Sequence, residues 1–286
     1  MDLGRIGVWS WSFGREPAEV AEVAAELEEL GYGALWFPNR PQIFELAGQI
    51  LGATRRIVAA TGIASIWTHT PEDVTRAHRE LTRAYPGRFL LGLGVSHAHV
   101  VDREQPGRYS RPLTRMREYL DRLDRLTEPV PREERALAAL GPRMLELARD
   151  RTAGAHPYLV TVEHTRRARE LLGPGRLLAP EQSVVLEVDP ARARAVARQH
   201  LAMYLQAPNY TNNWLRLGFT PGDLENGGSD RLVDEVVAWG DLEAIAERVN
   251  RHLEAGADHV CVQVARDDGR ATLPREEWRR LATLLG

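Results

Sequence analysis

At 286 residues with 43% apolar side chains, the chain is long enough to bury a large core, and a barrel of this length folds as one domain spanning 1–286. Its net charge of -3 argues against the broad basic face that nucleic acid or an anionic membrane surface requires, so the expected partner is a small molecule. The single cysteine, Cys261, lies in the apolar run DHVCVQV; it excludes an internal disulfide and a multi-thiolate metal site and reads as a core residue. No basic N-terminal segment leads into an apolar stretch, and no run approaches the ~20 residues of a membrane span, so a cytoplasmic location is expected.

In chain order, short β-rich runs alternate with amphipathic helices. GRIGVWSW precedes PAEVAEVAAELEELGYG, whose Pro17 opens a helix, whose Val20, Val23, Ala24, Leu27 and Leu30 share one face, and whose Gly31 ends it. The unit recurs as ALWFP with QIFELAGQILGAT, RIVAATGIASIW with PEDVTRAHRELTRAYPG, and RFLLGLGVSH with PLTRMREYLDRLDRL. A less regular second half offers RALAALG with PRMLELARDRT, AHPYLVTV with HTRRARELL, QSVVLEVD with PARARAVARQHLAMYL, and DHVCVQVA before a terminal helix. Eight strands with intervening helices predict an α/β fold, a (β/α)8 TIM barrel, and no early GxGxxG supports a dinucleotide-binding sheet. Two polar stretches, 97–112 and 207–230, read as insertion loops at the C-terminal face.

In such a barrel the strand ends form the reactive face. They supply Trp9 and Trp11 from strand 1, Pro38, Asn39 and Arg40 from strand 2, Ser65, Ile66, Trp67 and Thr68 from strand 3, and Gly94, Ser96 and His97 from strand 4. Trp9, Trp11 and Trp67 are expected as apolar substrate walls, with ordinary barrel packing as the competing explanation. Tyr109, Tyr210, Asn213 and Trp214 on the insertions are candidate substrate contacts. Gly141, Pro142, Arg143 and Met144 stand at a helix start suited to an anion, and His156, Tyr158 and Thr161 at the next strand end. Gly141 and Pro142 are equally explained as helix punctuation; Arg143, whose guanidinium matches phosphate, is the sharper candidate. His97 is the candidate catalytic proton donor, or else a hydrogen-bonded loop residue. His69 and Thr70 are placed to cap the following helix. His97, His99 and Asp102 lack a metal-binding spacing, so no metal is expected.

The block GIASIWTHTPEDVTRAHRELTRAYPGRFLLGLGVSH, with GYGALWF upstream and GPRMLELARDRTAGAHPYLVT and AGADHVCVQV downstream, resembles the luciferase-like monooxygenase superfamily, in particular its coenzyme F420-dependent oxidoreductase branch. The resemblance implies hydride transfer between the deazaflavin and a small organic substrate, with reduced FMN and dioxygen as the alternative and a non-catalytic cofactor-binding paralogue as a third reading. It implies a cofactor site made by Asn39, Ser65, Ile66, Gly94, Ser96, Gly141, Pro142, Arg143, Met144, Tyr158 and Thr161. A non-prolyl cis peptide, placed at Ser65–Ile66, is expected to put Ile66 behind the cofactor ring. Arg40 stands where some members carry a histidine and His97 where some carry a glutamate, which points to different substrate chemistry. The resemblance also implies a homodimer.

Overall fold

The computed structural model describes residues 1–269 and 271–285. Eleven strands, all paired in parallel, form one curled sheet: β1 (Ile6–Trp9), β2 (Ala34–Phe37), β3 (Val58–Thr61), β4 (Ala64–Ser65), β5 (Phe89–Gly94), β6 (Arg135–Leu137), β7 (Gly154–Ala155), β8 (Leu177–Leu178), β9 (Glu181–Val185), β10 (Val237–Trp239) and β11 (Val260–Val264). The residues of β1, β2 and β3 are all buried, as expected where helices cover one side of a parallel sheet and side chains fill the other.

The expected eight barrel positions are present, two of them split. β3 pairs with β5 through Ala59 and Ala60, and after a bulge β4 pairs with the same strand through Ala64 and Ser65. β8 pairs with β7, and beyond Pro180 the same run continues as β9 against β11, which pairs with β1. The ring therefore closes through the chain segment 177–185. Close approach of two strands explains Gly92, where a Cβ would stand 1.9 Å from the Thr61 carbonyl oxygen. β10 was not expected; Val237, Ala238 and Trp239 pair with Ser183, Val184 and Val185.

The helices follow their local signals. Pro17 opens Pro17–Glu29, and Thr70 caps Pro71–Ala84 in a reciprocal capping box with Asp73. The stretches expected as loops are partly helical instead: 97–112 contains Ala98–Glu104, and 207–230 contains Pro208–Arg216 and a 3-10 turn at Pro221–Leu224. The largest hydrophobic cluster lies between barrel and helices. A second fills the barrel with Trp9, Trp36, Ala60, Leu90, Ala136 and Cys261. A third packs Leu201, Tyr204, Tyr210, Trp214, Leu232 and Val237 within the segment between β9 and β11. Cys261 is fully buried, its thiol donating to the Pro180 carbonyl oxygen at 3.4 Å. No helix among the described residues is long and apolar enough to cross a membrane.

Candidate active site

A cavity of about 630 Å³ opens at the C-terminal ends of the strands, within the ~300–1,000 Å³ range of cofactor and substrate sites. Strand ends contribute Trp9, Trp11, Asn39, Ser96 and His97, and the helix starting at Pro142 contributes Gly141, Pro142, Arg143 and Met144. Pro38, Tyr109, His156, Tyr158 and Tyr210 are further expected residues on its wall.

Several expected residues lie off that wall; one is Asn213, buried on helix Pro208–Arg216 while its neighbour Asn212 lines the cavity. The cis peptide is Gly62–Ile63, three residues before the expected Ser65–Ile66 bond, so it is Ile63 that lines the cavity. Ile66 packs half-buried against the main core. Ser65 is buried, its backbone N–H donating to Asn39 Oδ1 at 2.9 Å. Gly94 makes room: a Cβ there would meet Ile63 Cγ1 at 2.6 Å. Thr161 is a buried helix cap accepting from the His164 N–H at 3.1 Å. Trp67 is held by its indole N–H to the Val95 carbonyl at 2.7 Å and stands behind Tyr109, with ring centroids 5.8 Å apart. Trp214, expected as a substrate contact, is fully buried in the third cluster and donates to the Leu159 carbonyl at 3.2 Å.

The polar groups are fixed by a few contacts. Asn39 Oδ1 accepts from the Ser65 N–H at 2.9 Å and from Thr68 Oγ1 at 3.3 Å, and lies 3.1 Å from His69 Nε2, which ties the ends of β2 and β4 together. Arg40 donates to the Trp11 carbonyl and is not part of the cavity wall. His97 Nδ1 donates to Asn209 Oδ1 at 3.3 Å, and its ring stacks on His99. Burial holds the His97 pKa below the ordinary histidine value, the Asn209 bond opposing it, so the ring is neutral at pH 7. Ser96 adopts a left-handed backbone, φ 55°, at the turn from β5 into the cavity.

Several wall or supporting residues carried no role in the sequence reading. Ile63 is one. Arg216, on helix Pro208–Arg216, lines the cavity close to Gly141, its Nη2 3.5 Å from where a Cβ there would lie. Asn209, Asn212 and Arg216 recur at helical spacing on the cavity side, a periodicity visible in PNYTNNWLR once that stretch is taken as a helix. Glu181 is fully buried beneath the wall, and burial pushes its carboxyl up to about 7, against hydrogen bonds from Ser183 Oγ at 2.6 Å and the Leu159 N–H at 3.0 Å. With its amide oxygen toward Trp11 Nε1 (3.1 Å), Gln263 donates to Tyr158 Oη (2.7 Å) and Glu181 Oε1 (3.2 Å), joining the buried acid to the wall.

Residues 2–259 match the sequence pattern of the luciferase-like monooxygenase family. The chain belongs to that family. Over 172 residues this luciferase-like chain is 28% identical to the Mycobacterium tuberculosis (strain ATCC 25618 / H37Rv) protein Rv3520c, provisionally named a coenzyme F420-dependent oxidoreductase; the match covers 59% of this chain and 48% of the relative. The chain thus spans about half the length of the curated relative it matches. Its fold is shared with an F420-dependent secondary alcohol dehydrogenase solved with an F420-acetone adduct (TM-score 0.70, 15% identity, 98% of both chains). It is also shared with the coenzyme F420-dependent tetrahydromethanopterin reductase of Methanopyrus kandleri (TM-score 0.68, 16% identity, 98% and 97% of the chains). The FMN-bound oxygenating constituent of 3,6-diketocamphane monooxygenase from Pseudomonas putida matches at TM-score 0.66 and 15% identity over 98% and 96% of the chains.

Proposed function

We propose that this luciferase-like chain is an oxidoreductase that moves a hydride between coenzyme F420 and a small organic substrate in the cavity described above. The observation that carries the reading is the pairing of an apolar, aromatic chamber with a cationic mouth. Trp9, Trp11, Ile63 and Tyr109 furnish the chamber, and Arg143 and Arg216 flank the uncapped start of helix Pro142–Arg151. The residues fit a flat tricyclic ring with an anionic tail. Gly94 leaves room for Ile63 to pack toward the ring, while free N–H groups and two guanidinium groups suit phosphate or carboxylate oxygens. The names of the mycobacterial relative and of two structural neighbours support the same choice of cofactor.

A bound deazaflavin supplies or accepts the hydride. The protein orients the two partners and excludes water, which is the larger part of what a hydride transfer asks of it. His97 handles the proton. Because its Nδ1–H is committed to Asn209 and the ring is neutral, Nε2 accepts a proton from a substrate that gives up hydride and returns it in the reverse direction. His97 is thereby a proton acceptor at neutral pH in the oxidative direction, and a donor only after that transfer.

Reduced FMN is the second reading, supported by the FMN-bound neighbour of the same fold. Titrating the purified protein separately with coenzyme F420 and with FMN distinguishes the two. Preferential uptake of F420, weakened about tenfold or more in Arg143→Ala through loss of a charged hydrogen bond, supports the first. Preference for FMN with oxygen consumption supports the second. Uptake of neither sinks both.

A further inference from the structure

Five large apolar side chains are exposed among the described residues: Met1, Val100, Val188, Met203 and Leu215. Apolar residues scattered singly over a surface need no explanation. Two of these five open on one cavity instead: Val100, 44% exposed, and Met203, 40% exposed, both line the chamber. They come from different parts of the chain, Val100 from helix Ala98–Glu104 and Met203 from the turn that follows helix Pro190–Leu201.

Their surroundings decide what they can hold. Val100 lies three residues after His97, one turn along the helix that His97 starts and on the same side of it. Met203 adjoins Tyr204, whose ring lies 5.1 Å from that of Tyr210, and the Tyr210 ring in turn lies 5.4 Å from that of His97. Both apolar groups are thereby placed on the His97 side of the chamber. Among the described residues that line it none is acidic, and its two arginines, Arg143 and Arg216, stand toward the other end. Arg216 follows Asn209, the partner of His97, by about 10 Å of helix. A cation finds no counter-charge beside Val100 and Met203, and an anion is drawn to the arginines instead.

We propose that Val100 and Met203 are paired specificity residues that grip the hydrocarbon body of the substrate, an uncharged alcohol or carbonyl compound with a body of several carbons. The substrate oxygen meets His97, whose Nε2 lone pair faces a hydroxyl group. The body extends between the two side chains, and all three apolar surfaces leave water together when it binds. Neither residue belongs to the wall given to the cofactor ring or to the arginine end given to its tail, and their role rests on the reading of the cavity as an oxidoreductase site.

The test uses the full chain labelled with ¹³C at the methionine methyl groups. Its four methionines give four resonances, and Met203→Gln assigns one of them by its loss. 1-Butanol, 1-hexanol and 1-octanol are titrated in, with and without coenzyme F420 or FMN. Each alcohol is expected to move the Met203 resonance while that of fully buried Met116 stays in place. Affinities are read by tryptophan fluorescence in wild type and in a Val100→Ser, Met203→Gln double variant, which folds because both positions are exposed. They are expected to rise about threefold per added methylene in wild type and under about twofold in the variant. Hexanoate and hexylammonium are expected to act on Met203 at least about tenfold more weakly than 1-hexanol. A Met203 resonance that ignores the alcohols, equal action of the charged probes, or equal slopes in the two proteins overturns the proposal. So does a double variant that changes self-association in sedimentation and leaves alcohol binding intact. Either cofactor is expected to move Met144, beside Arg143; a Met144 that neither moves, with Met203 responding to the alcohols, refutes the cofactor reading and leaves the roles of Val100 and Met203 standing.

Discussion

Acidification is expected to unfold this protein well above the pH at which carboxylates titrate, because four of its five buried histidines are neutral rings with no carboxylate partner, the fifth, His78, lying 2.9 Å from Glu134. His164 donates through Nε2 to the Leu140 carbonyl, His259 through Nδ1 to that of Gly4, and His156 through Nδ1 to that of Ala179. His252 lies between Thr165 Oγ1 and Gln182 Oε1. Burial lowers their pKa values to about 4 for His156, His164 and His259 and about 3 for His252, against 6.5 in the unfolded chain. The folded state thus binds fewer protons than the unfolded state between those values, so the stability present above pH 6.5 is lost as pH falls toward 4. At pH 5 each ring costs about 2 kcal/mol, roughly 8 kcal/mol together. Glu181 opposes this. Its raised pKa of about 7 returns about 2 kcal/mol over the same interval, leaving a net loss of about 6 kcal/mol out of a typical 5–15. Circular dichroism melts at pH 7.5, 6 and 5 should show a steep fall in Tm, with unfolding near pH 5 at 25 °C. A Tm that holds steady to pH 5 would refute the assignment of four neutral buried rings.

Glu181→Gln removes a carboxyl whose pKa is raised from 4.5 to about 7, so its contribution to stability is greatest below pH 4.5 and lost as pH rises to 7. The variant should gain on wild type by up to about 3 kcal/mol between pH 5 and 8 in urea titrations; a gap independent of pH contradicts this. Gly94→Ala drives a methyl to 2.6 Å from Ile63 Cγ1 and 3.2 Å from Ala138 Cβ, and because β-branched Ile63 is stiff at χ1, stability should fall by about 1–3 kcal/mol. Cofactor affinity, read by fluorescence titration, should fall more noticeably as Ile63 moves into the chamber. Gly92→Ala places Cβ against the Thr61 carbonyl and should abolish soluble folded protein, whereas Gly48→Ala, with its nearest neighbour at 3.7 Å on helix Ile43–Ala53, should raise stability by about 0.5–1 kcal/mol. Similar behaviour of the two variants in a thermal melt would count against the close packing of β3 on β5.

The eight barrel strands were legible because parallel strands buried on both sides read as short apolar runs, and Pro17, Gly31 and Thr70 punctuate the helices by local rules. The split at Pro180 and the three-residue β10 were not legible, since pairing of Val237–Trp239 with Ser183–Val185 depends on where a distant segment returns. Within TGIASI two isoleucines each follow a small residue, and local sequence does not rank them. What separates them is tertiary: Gly62 packs too closely on Trp9 and His156 to carry a side chain, while the Ser65 N–H donates to Asn39 Oδ1. Trp214 was named and Arg216 passed over for a related reason, because aromatic size marks the buried side of helix Pro208–Arg216 as readily as an exposed one.

The segment between Val185 and Val237 leaves the barrel and comes back at the same place, its two ends hydrogen-bonded side by side, and it carries a hydrophobic cluster largely its own. It also brings Met203, Tyr204, Asn209, Tyr210 and Arg216 to the chamber. An excursion of this kind behaves as an exchangeable cassette: its length and composition can drift without disturbing closure of the ring beneath. Changes within it are expected to reshape the chamber wall while leaving the strand pairings of the ring intact, and grafting this stretch between relatives would test that independence.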